Sequence, residues 1–282
     1  MIYFDLKRDR QILQSDVCDL STWTPDQFRN FSCARHKEGF LIFLEPEKIE
    51  ISNEYKDGDP YTVSKNIMSS FHQRRFTDTI TLLKKVSGVD CAKILDLGCG
   101  EGHLTGLIRQ TFPASEIHGL DYSIDAIRIA NREYKNINYV VADAYFPPFV
   151  TGYFDVVVLN NLWEHVADPL LLLRSIERLL CPGGVVIIST PSRYRISNLV
   201  RVMIGREVAF MSKLHVTEYS IGQVKEQLKF GGFKVTDIYS NPIRESRLAL
   251  QIFKVVFRLW LRLSGSHHQL ESTIFYLATK IG

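Results

Sequence analysis

The chain has 282 residues, of which 45% are hydrophobic and 23% charged, and its formal net charge is +3. This composition is that of a folded protein with a sizeable core, and the small net charge argues against nucleic-acid binding, which usually shows a strong basic excess. An odd number of scattered cysteines favours free thiols in a reducing compartment. They are Cys18, Cys33, Cys91, Cys99 and Cys181. The N-terminus lacks the apolar run of a signal peptide and no apolar stretch is long enough to cross a bilayer, so a cytoplasmic protein is predicted.

The chain is predicted to divide into an N-terminal extension, residues 1–58, and a main domain, residues 59–282. The extension is polar and contains one strand-like run, GFLIFLEP at residues 39–46. Residues 60–86 are predicted to form a helical cap, which includes Tyr61. The role of the extension is left open.

From about residue 90, short apolar runs alternate with segments of helical spacing. Continuous apolar runs separated by helices predict parallel strands that are covered on both faces, in a doubly wound α/β domain. A later helix is predicted over 220–233, where Ser220 and Gln223 form a capping box. The strand candidates in chain order are residues 93–98, 116–123, 137–145, 153–161, 185–191, 234–240 and 272–280.

The first of these strands runs into a glycine-rich turn that contains Gly98, Gly100 and Gly102. A strand, a glycine turn and a helix N-terminus together make a cradle for a phosphate or the edge of a nucleotide. Dinucleotide oxidoreductases need G-x-G-x-x-G, whereas here one residue separates the second glycine from the third. Asp96 at the strand tip disfavours an anion and favours a ligand with an ammonium group. The alternative is that the glycines serve only a tight turn.

The segment LDLGCGEG, residues 95–102, resembles motif I of the class I S-adenosylmethionine-dependent methyltransferases. Further landmarks are similar to those of the family and follow in its order, over roughly residues 60–282. They are Asp121, 19 residues after Gly102; ADAYFPPF at 142–149; NNLWEHVADP at 160–169, similar to the motif of ubiquinone-type enzymes; and LLCPGGVVIISTPSR at 179–193.

This resemblance implies a doubly wound Rossmann-like sheet of seven strands, mostly parallel with an antiparallel last strand, and helices on both faces. It implies S-adenosyl-L-methionine as the cofactor and S-adenosyl-L-homocysteine as the product. Asp96 and the glycine turn would hold the methionine part, Asp121 the ribose and Asp143 the adenine. The cofactor-binding residues expected from the resemblance are Asp96, Gly98, Cys99, Gly100, Gly102, Asp121, Tyr122, Asp143, Ala144, Asn160 and Tyr61.

On the acceptor side, the resemblance points to His165 and His215 as groups that orient or deprotonate the acceptor, and oxygen acceptors often need such a base. Either histidine is equally well interpreted as a capping or surface residue. Arg193, Tyr194 and Tyr219 are expected on the same rim as substrate-binding residues.

A metal ion is not predicted. Ubiquinone-type enzymes are thought to hold magnesium with the motif E-x-x-E-H, but Asn161 stands at the position of its first acid. Only Glu164 and His165 remain, and magnesium prefers a shell of oxygen ligands.

An insertion at about 242–270 contains the amphipathic stretch 247–263. Arg247, Lys254, Arg258 and Arg262 fall on one stripe of a helix, and the rest of its surface is apolar. This pattern is typical of a helix lying in a membrane interface. The alternatives are a lid packed over the active site and a homodimer face.

Through this resemblance the sequence predicts a methyltransferase that transfers a methyl group to a small-molecule or lipid- or sugar-linked acceptor, with oxygen as the expected target atom. It lacks the N-P-P-Y and D-P-P-Y motifs typical of amino-group methylation of nucleobases. The alternative hypothesis is a non-catalytic cofactor-binding or partner subunit with the same fold.

Overall fold

The computed structural model describes residues 2–19, 30–44, 73–241, 248–266 and 268–282. Its strands are β1 Phe4–Asp5, β2 Arg10–Gln11, β3 Val17–Asp19, β4 Cys33–Arg35, β5 Leu41–Ile42, β6 Lys93–Leu97, β7 Glu116–Asp121, β8 Asn138–Val141, β9 Phe154–Asn160, β10 Leu180–Pro191, β11 Phe233–Tyr239 and β12 Thr273–Lys280. Its α-helices are α1 Gln73–Leu83, α2 His103–Thr111, α3 Ile124–Glu133, α4 Pro169–Leu179, α5 Ile196–Met203, α6 Ile221–Phe230 and α7 Leu248–Leu263. Short 3-10 turns lie at Gln14–Asp16 and Val89–Cys91.

The seven predicted strands form the body of one sheet, in the order β8-β7-β6-β9-β10-β12-β11. Neighbours from β8 to β10 pair in parallel, whereas β12 is antiparallel to both β10 and β11. The order reverses between β6 and β9, as in a doubly wound fold. The predicted α/β fold with an antiparallel last strand is confirmed.

Alternating side chains of the central strands pack on opposite faces of the sheet. Leu95 and Val157 belong to one buried cluster, and Ile94 and Val156 belong to another. Because both faces are covered by helices, the strands contain continuous apolar runs instead of a polar–apolar alternation. Helices α4 and α6 contact each other as well as the sheet, α4 against β10 and α6 against β11.

The N-terminal extension adds strands to this sheet, which has ten strands within the described part of the chain instead of seven. β5 pairs in parallel with β8, where Leu41 lies opposite Val140. β4 then pairs with β5 and β3 with β4. The apolar run at 39–46 indicated a strand, but the sequence did not indicate its partner, because a two-residue strand acquires its register from the edge on which it packs.

Helix α7 lies between β11 and β12, in the insertion, with its basic side turned inward. Lys254 is 2% exposed and its Nζ lies 2.7 Å from Glu271, which also pairs with Arg258. The apolar side is outward, where Leu259 and Trp260 are both more than half exposed. Lys254 is thus withdrawn from solvent, whereas Arg262 on the same predicted stripe is exposed. Arg247 lies outside the described residues.

None of the helices in the described ranges combines the length and the apolar character needed to cross a bilayer.

Candidate active site

The glycine-rich turn after β6 joins the sheet to helix α2. Gly98, Gly100 and Gly102 have φ angles of +79°, +52° and +78°, a region that other residues rarely adopt. At Gly102 a Cβ atom would lie 2.7 Å from the Tyr139 hydroxyl, so close packing explains this glycine. At Gly100 nothing lies within 4 Å of the Cβ position, so the backbone is open to close approach by a ligand.

A second turn, which follows β9, packs directly on the glycine turn. A Cβ atom on Gly98 would lie 3.1 Å from the Leu162 side chain, so this glycine packs closely against the second turn. The backbone N–H of His165 donates to the Leu162 carbonyl at 3.0 Å. The polar residues after Leu162 are thereby held beside the expected cofactor cradle.

Asp96 lies in β6 and is 1% exposed. One carboxylate oxygen accepts a hydrogen bond of 2.6 Å from the Thr105 hydroxyl, which projects from α2. Burial raises the pKa of the Asp96 carboxyl to about 7, the Thr105 hydrogen bond opposes this increase, and the charge of Asp121 adds to it. A buried carboxyl of this kind is suited to a cationic ligand, which would stabilise the ionised form.

Replacing Asp96 with asparagine is expected to raise the free energy of unfolding of the cofactor-free protein at pH 8 by on the order of 3 kcal/mol, and to change it little near pH 4. The reason is that the folded protein holds this proton up to about pH 7, whereas the unfolded chain releases it near pH 4. Stability is therefore lost as the pH rises through this window. Urea unfolding between pH 4 and 8 measures the effect, with Asp90→Asn at an exposed site as control. A variant that keeps the wild-type pH slope would contradict the assignment.

Asp121 ends β7 and stabilises the glycine turn. Its two carboxylate oxygens accept hydrogen bonds from the backbone N–H groups of Gly100, at 2.8 Å, and Ser123, at 2.9 Å. Tyr122 is half-buried beside it and packs on the cluster that contains Cys99. The carboxylate is thus positioned by the turn that it stabilises.

The other expected cofactor residues lie at the ends of neighbouring strands. Asp143 follows β8, where its carboxylate accepts from the Tyr145 backbone N–H at 2.9 Å, and the half-buried Ala144 lies between them. Asn160 ends β9 and its side-chain amide donates to Thr79 of α1 at 3.2 Å. Since β8, β7, β6 and β9 are adjacent and parallel, these groups meet at one edge of the sheet, where open α/β sheets bind ligands.

Two expected residues stand apart from this set. Cys99 is buried in the turn and packs in a hydrophobic cluster, and burial raises the pKa of its thiol well above the usual value. Tyr61 lies outside the described residues. The assignments of individual cofactor-binding residues stay predictions.

On the acceptor side, Glu164, His165 and His215 come together although His215 lies fifty positions away along the chain. Each offers one ligand atom, and these atoms lie within 4.8 Å of one another. The two imidazole rings meet edge to face with centroids 5.0 Å apart. Burial lowers the pKa of His165, which is therefore uncharged at neutral pH, and burial raises the pKa of the Glu164 carboxyl to about 7.

Sequence reasoning missed Glu218, which orients His215. Nδ1 of His215 lies 2.9 Å from the Glu218 carboxylate, which is fully buried and pairs with Arg195. The hydrogen bonds from His215, the Met211 backbone and Arg195 outweigh burial and lower the pKa of Glu218. In the sequence, the signal for this pair is the spacing of three residues between His215 and Glu218.

The expected rim residues lie where the chain leaves β10. The Arg193 backbone N–H donates to the Tyr219 carbonyl at 3.0 Å, which joins this segment to the one carrying His215. Tyr194 is 40% exposed, whereas Tyr219 is 8% exposed and packs in the core. Of the two tyrosines, Tyr194 is thus the more accessible to an acceptor.

Comparison with known proteins places these features in a family. Residues 68–238 match the family model described as "Methyltransferase domain". Trans-aconitate 2-methyltransferase of Azoarcus sp. is 32% identical over 115 residues, 40% of this chain and 44% of that protein. Demethylmenaquinone methyltransferase of Lactococcus lactis is 34% identical over 128 residues, 43% of this chain and 50% of that protein. The chain spans about half the length of these curated relatives.

Solved structures share the fold at low sequence identity. A chain from the Haloferax volcanii complex between the Trm112 methyltransferase activator and a methyltransferase aligns with a TM-score of 0.59 at 18% identity, covering 82% of this chain and 98% of that one. Phosphoethanolamine N-methyltransferase 2 of Haemonchus contortus, in complex with S-adenosyl-L-methionine, aligns with a TM-score of 0.50 at 19% identity, covering 73% and 53%.

The family model covers more than half of the chain. The doubly wound sheet fits S-adenosyl-L-methionine as the cofactor, and so does the open glycine turn with acidic groups at the strand ends. The chain belongs to the class I methyltransferases, enzymes that use S-adenosyl-L-methionine as methyl donor.

Proposed function

We propose that this methyltransferase transfers the methyl group to an oxygen atom of a small-molecule or lipid-linked acceptor. The observation that supports this proposal is the cluster of Glu164, His165 and His215 beside the glycine turn. A hydroxyl acceptor is a weak nucleophile until it loses its proton, and an uncharged imidazole near the donor can accept that proton.

The sulfonium of the bound cofactor supplies the methyl group, and the protein's task is to hold donor and acceptor in line and to exclude water. In our proposal Asp96 and the glycine turn bind the methionine part, Asp121 the ribose and Asp143 the adenine. His165 and His215 orient or deprotonate the acceptor. Arg193 and Tyr194 contact its distal part.

The names of the relatives support small acceptors, since they specify trans-aconitate and demethylmenaquinone. The test is an acceptor panel of carboxylic acids, phenols and quinols, sugars, prenyl lipids and amines, with S-adenosyl-L-homocysteine formation as the readout. Turnover with a hydroxyl or carboxyl acceptor is expected. Turnover with amines alone would refute the oxygen assignment. Cofactor binding without any turnover would favour the alternative, a non-catalytic binding subunit.

We further propose that helix α7 contacts an anionic membrane surface, which would give access to a lipid-linked acceptor. Among the described side chains of this helix, seven large apolar ones are each more than half exposed: Leu248, Ile252, Val255, Val256, Leu259, Trp260 and Leu263. The exposed Arg262 adjoins them. An exposed apolar stripe with a tryptophan and a basic residue is the composition of an interfacial helix.

Replacing Val255 and Leu259 with glutamate is expected to abolish sedimentation of the protein with vesicles that contain phosphatidylserine, because two charges would enter the apolar face. Phe230→Glu is the control, since Phe230 is 73% exposed at the end of another helix. Vesicle binding that the double variant retains would refute the proposal. A wild-type dimer that the double variant dissociates would assign this face to a second copy instead.

A further inference from the structure

We propose that Glu164, His165 and His215 form a binding site for a divalent first-row transition-metal ion. The three residues come from two segments, the turn after β9 and the chain before α6. Backbone hydrogen bonds join the segments, since the N–H groups of Val216 and Thr217 donate to the Glu164 carbonyl at 2.9 and 3.3 Å. The fold therefore brings His215 to the neighbouring residues Glu164 and His165.

The Glu164 side chain is the first indication of an ion. The residue is 0% exposed, and within the described ranges neither carboxylate oxygen has a hydrogen-bond partner. Buried polar atoms without partners are rare in native proteins and are costly, so they call for a specific cause. A cation between Glu164 and the two imidazoles would satisfy both oxygens.

The orientation of His215 is the second indication. Its Nδ1 faces the Glu218 carboxylate at 2.9 Å, so Nδ1 carries the proton and the lone pair of Nε2 is left for a ligand. Arg195 pairs with the same carboxylate and both residues are buried. A histidine whose outer nitrogen donates to a carboxylate is the usual arrangement around protein-bound metals.

The donor set determines the class of ion. Two imidazole nitrogens and one carboxylate oxygen suit zinc, iron, cobalt or nickel, whereas magnesium takes oxygen ligands. Ligands around a tetrahedral zinc ion lie about 3.4 Å apart, given bonds of about 2.1 Å. The candidate ligand atoms lie within 4.8 Å of one another, so shifts on the order of 1 Å would bring them to this distance.

This site differs from the E-x-x-E-H magnesium motif considered from the sequence. Asn161 stands at the position of that motif's first acid, and its side-chain oxygen accepts a hydrogen bond from the Ser189 hydroxyl at 3.1 Å. His215, fifty residues away, takes part instead. The site rests on the geometry of these side chains and not on the identity of the acceptor.

The test is a titration of the whole, metal-free chain with Co²⁺ alone, in the absence of cofactor and acceptor. Calorimetry and visible absorption are the readouts. One ion per chain with a ligand-field spectrum is expected, and Zn²⁺ should displace it while Mg²⁺ at the same concentration should not. Glu164→Gln and His215→Ala should each weaken binding at least tenfold, and Glu218→Gln by roughly tenfold to a hundredfold through loss of orientation. His268→Ala, outside the cluster, should bind as the wild type.

Absence of a cobalt spectrum in the wild type would overturn the proposal, as would binding that both Glu164→Gln and His215→Ala leave unchanged. Displacement by Mg²⁺ would overturn the class of ion. Circular dichroism and binding of S-adenosyl-L-homocysteine show that each variant is folded. Because the readout is metal binding and not turnover, its failure would leave the proposed methyl transfer to oxygen untouched.

Discussion

Replacing Asp121 with alanine is expected to weaken binding of S-adenosyl-L-methionine by roughly tenfold to a hundredfold, which corresponds to about 1–3 kcal/mol. The carboxylate has a double role in our proposal, since it accepts hydrogen bonds from the ribose hydroxyls and also from the Gly100 backbone N–H. Its loss therefore removes ligand contacts and releases the turn that approaches the ligand. Titration calorimetry with the cofactor and with S-adenosyl-L-homocysteine measures the effect.

Two variants make this experiment specific. Asp121→Asn keeps the shape of the side chain and one oxygen acceptor, so it should lose less affinity for the cofactor than Asp121→Ala. Asp125→Ala removes a nearby acid that pairs with Arg128 on the surface of α3, and it should bind the cofactor as the wild type does. Undiminished affinity in Asp121→Ala would refute the ribose assignment. Absence of cofactor binding in the wild type would leave the family assignment in place and identify this chain as one that has lost the activity.

Replacing His215 with alanine is expected to lower the turnover number with the acceptor found in the panel by roughly 10²–10⁴-fold, the usual contribution of a positioned acid or base. Affinity for S-adenosyl-L-homocysteine should stay unchanged, because our proposal places His215 on the acceptor side of the site. Single-turnover and steady-state rates separate the loss in the chemical step from any change in KM.

Glu218→Gln distinguishes a catalytic His215 from a structural one. Glu218 touches neither ligand in our proposal and acts only by orienting the imidazole, so this variant should show a smaller loss of turnover number at an unchanged KM. Rates in the presence of a chelator then report whether His215 acts as a free base or as a metal ligand. His215→Ala with wild-type turnover would exclude both roles, and His268→Ala serves as the control.

The strands and the cofactor turn were predictable from sequence because their signals are local. Residues 156–159 of β9 form an uninterrupted apolar run, and such runs in alternation with helical spacing indicate a parallel sheet. The positive φ angles after β6 can be adopted without strain only by glycine, so the turn appears in the sequence as glycines at fixed spacing. Asp121 ends β7 and Asp143 follows β8. Because these strands are adjacent and parallel, their ends lie at the same edge of the sheet.

The acceptor side could be predicted only in part. His165 and His215 were recognised singly, but their contact depends on hydrogen bonds from Val216 and Thr217 to Glu164, which join segments fifty residues apart. The sequence has no periodic pattern that records such a contact. The pairing of Glu218 with Arg195 has the same character, since it joins residues 23 positions apart along the chain.

Sequence alone thus determined the family, the positions and direction of the central strands, the glycine turn and the amphipathic character of α7. Only the tertiary structure decided which side of α7 is buried, because helical periodicity defines two faces but not which one finds a partner. Glu271, on the chain that leads into β12, pairs with Lys254 and Arg258 and turns the basic side inward. The tertiary structure also decided that β5 pairs with β8 and that Glu164 contacts two histidines. Pairing between distant segments depends on the packed core and not on local sequence.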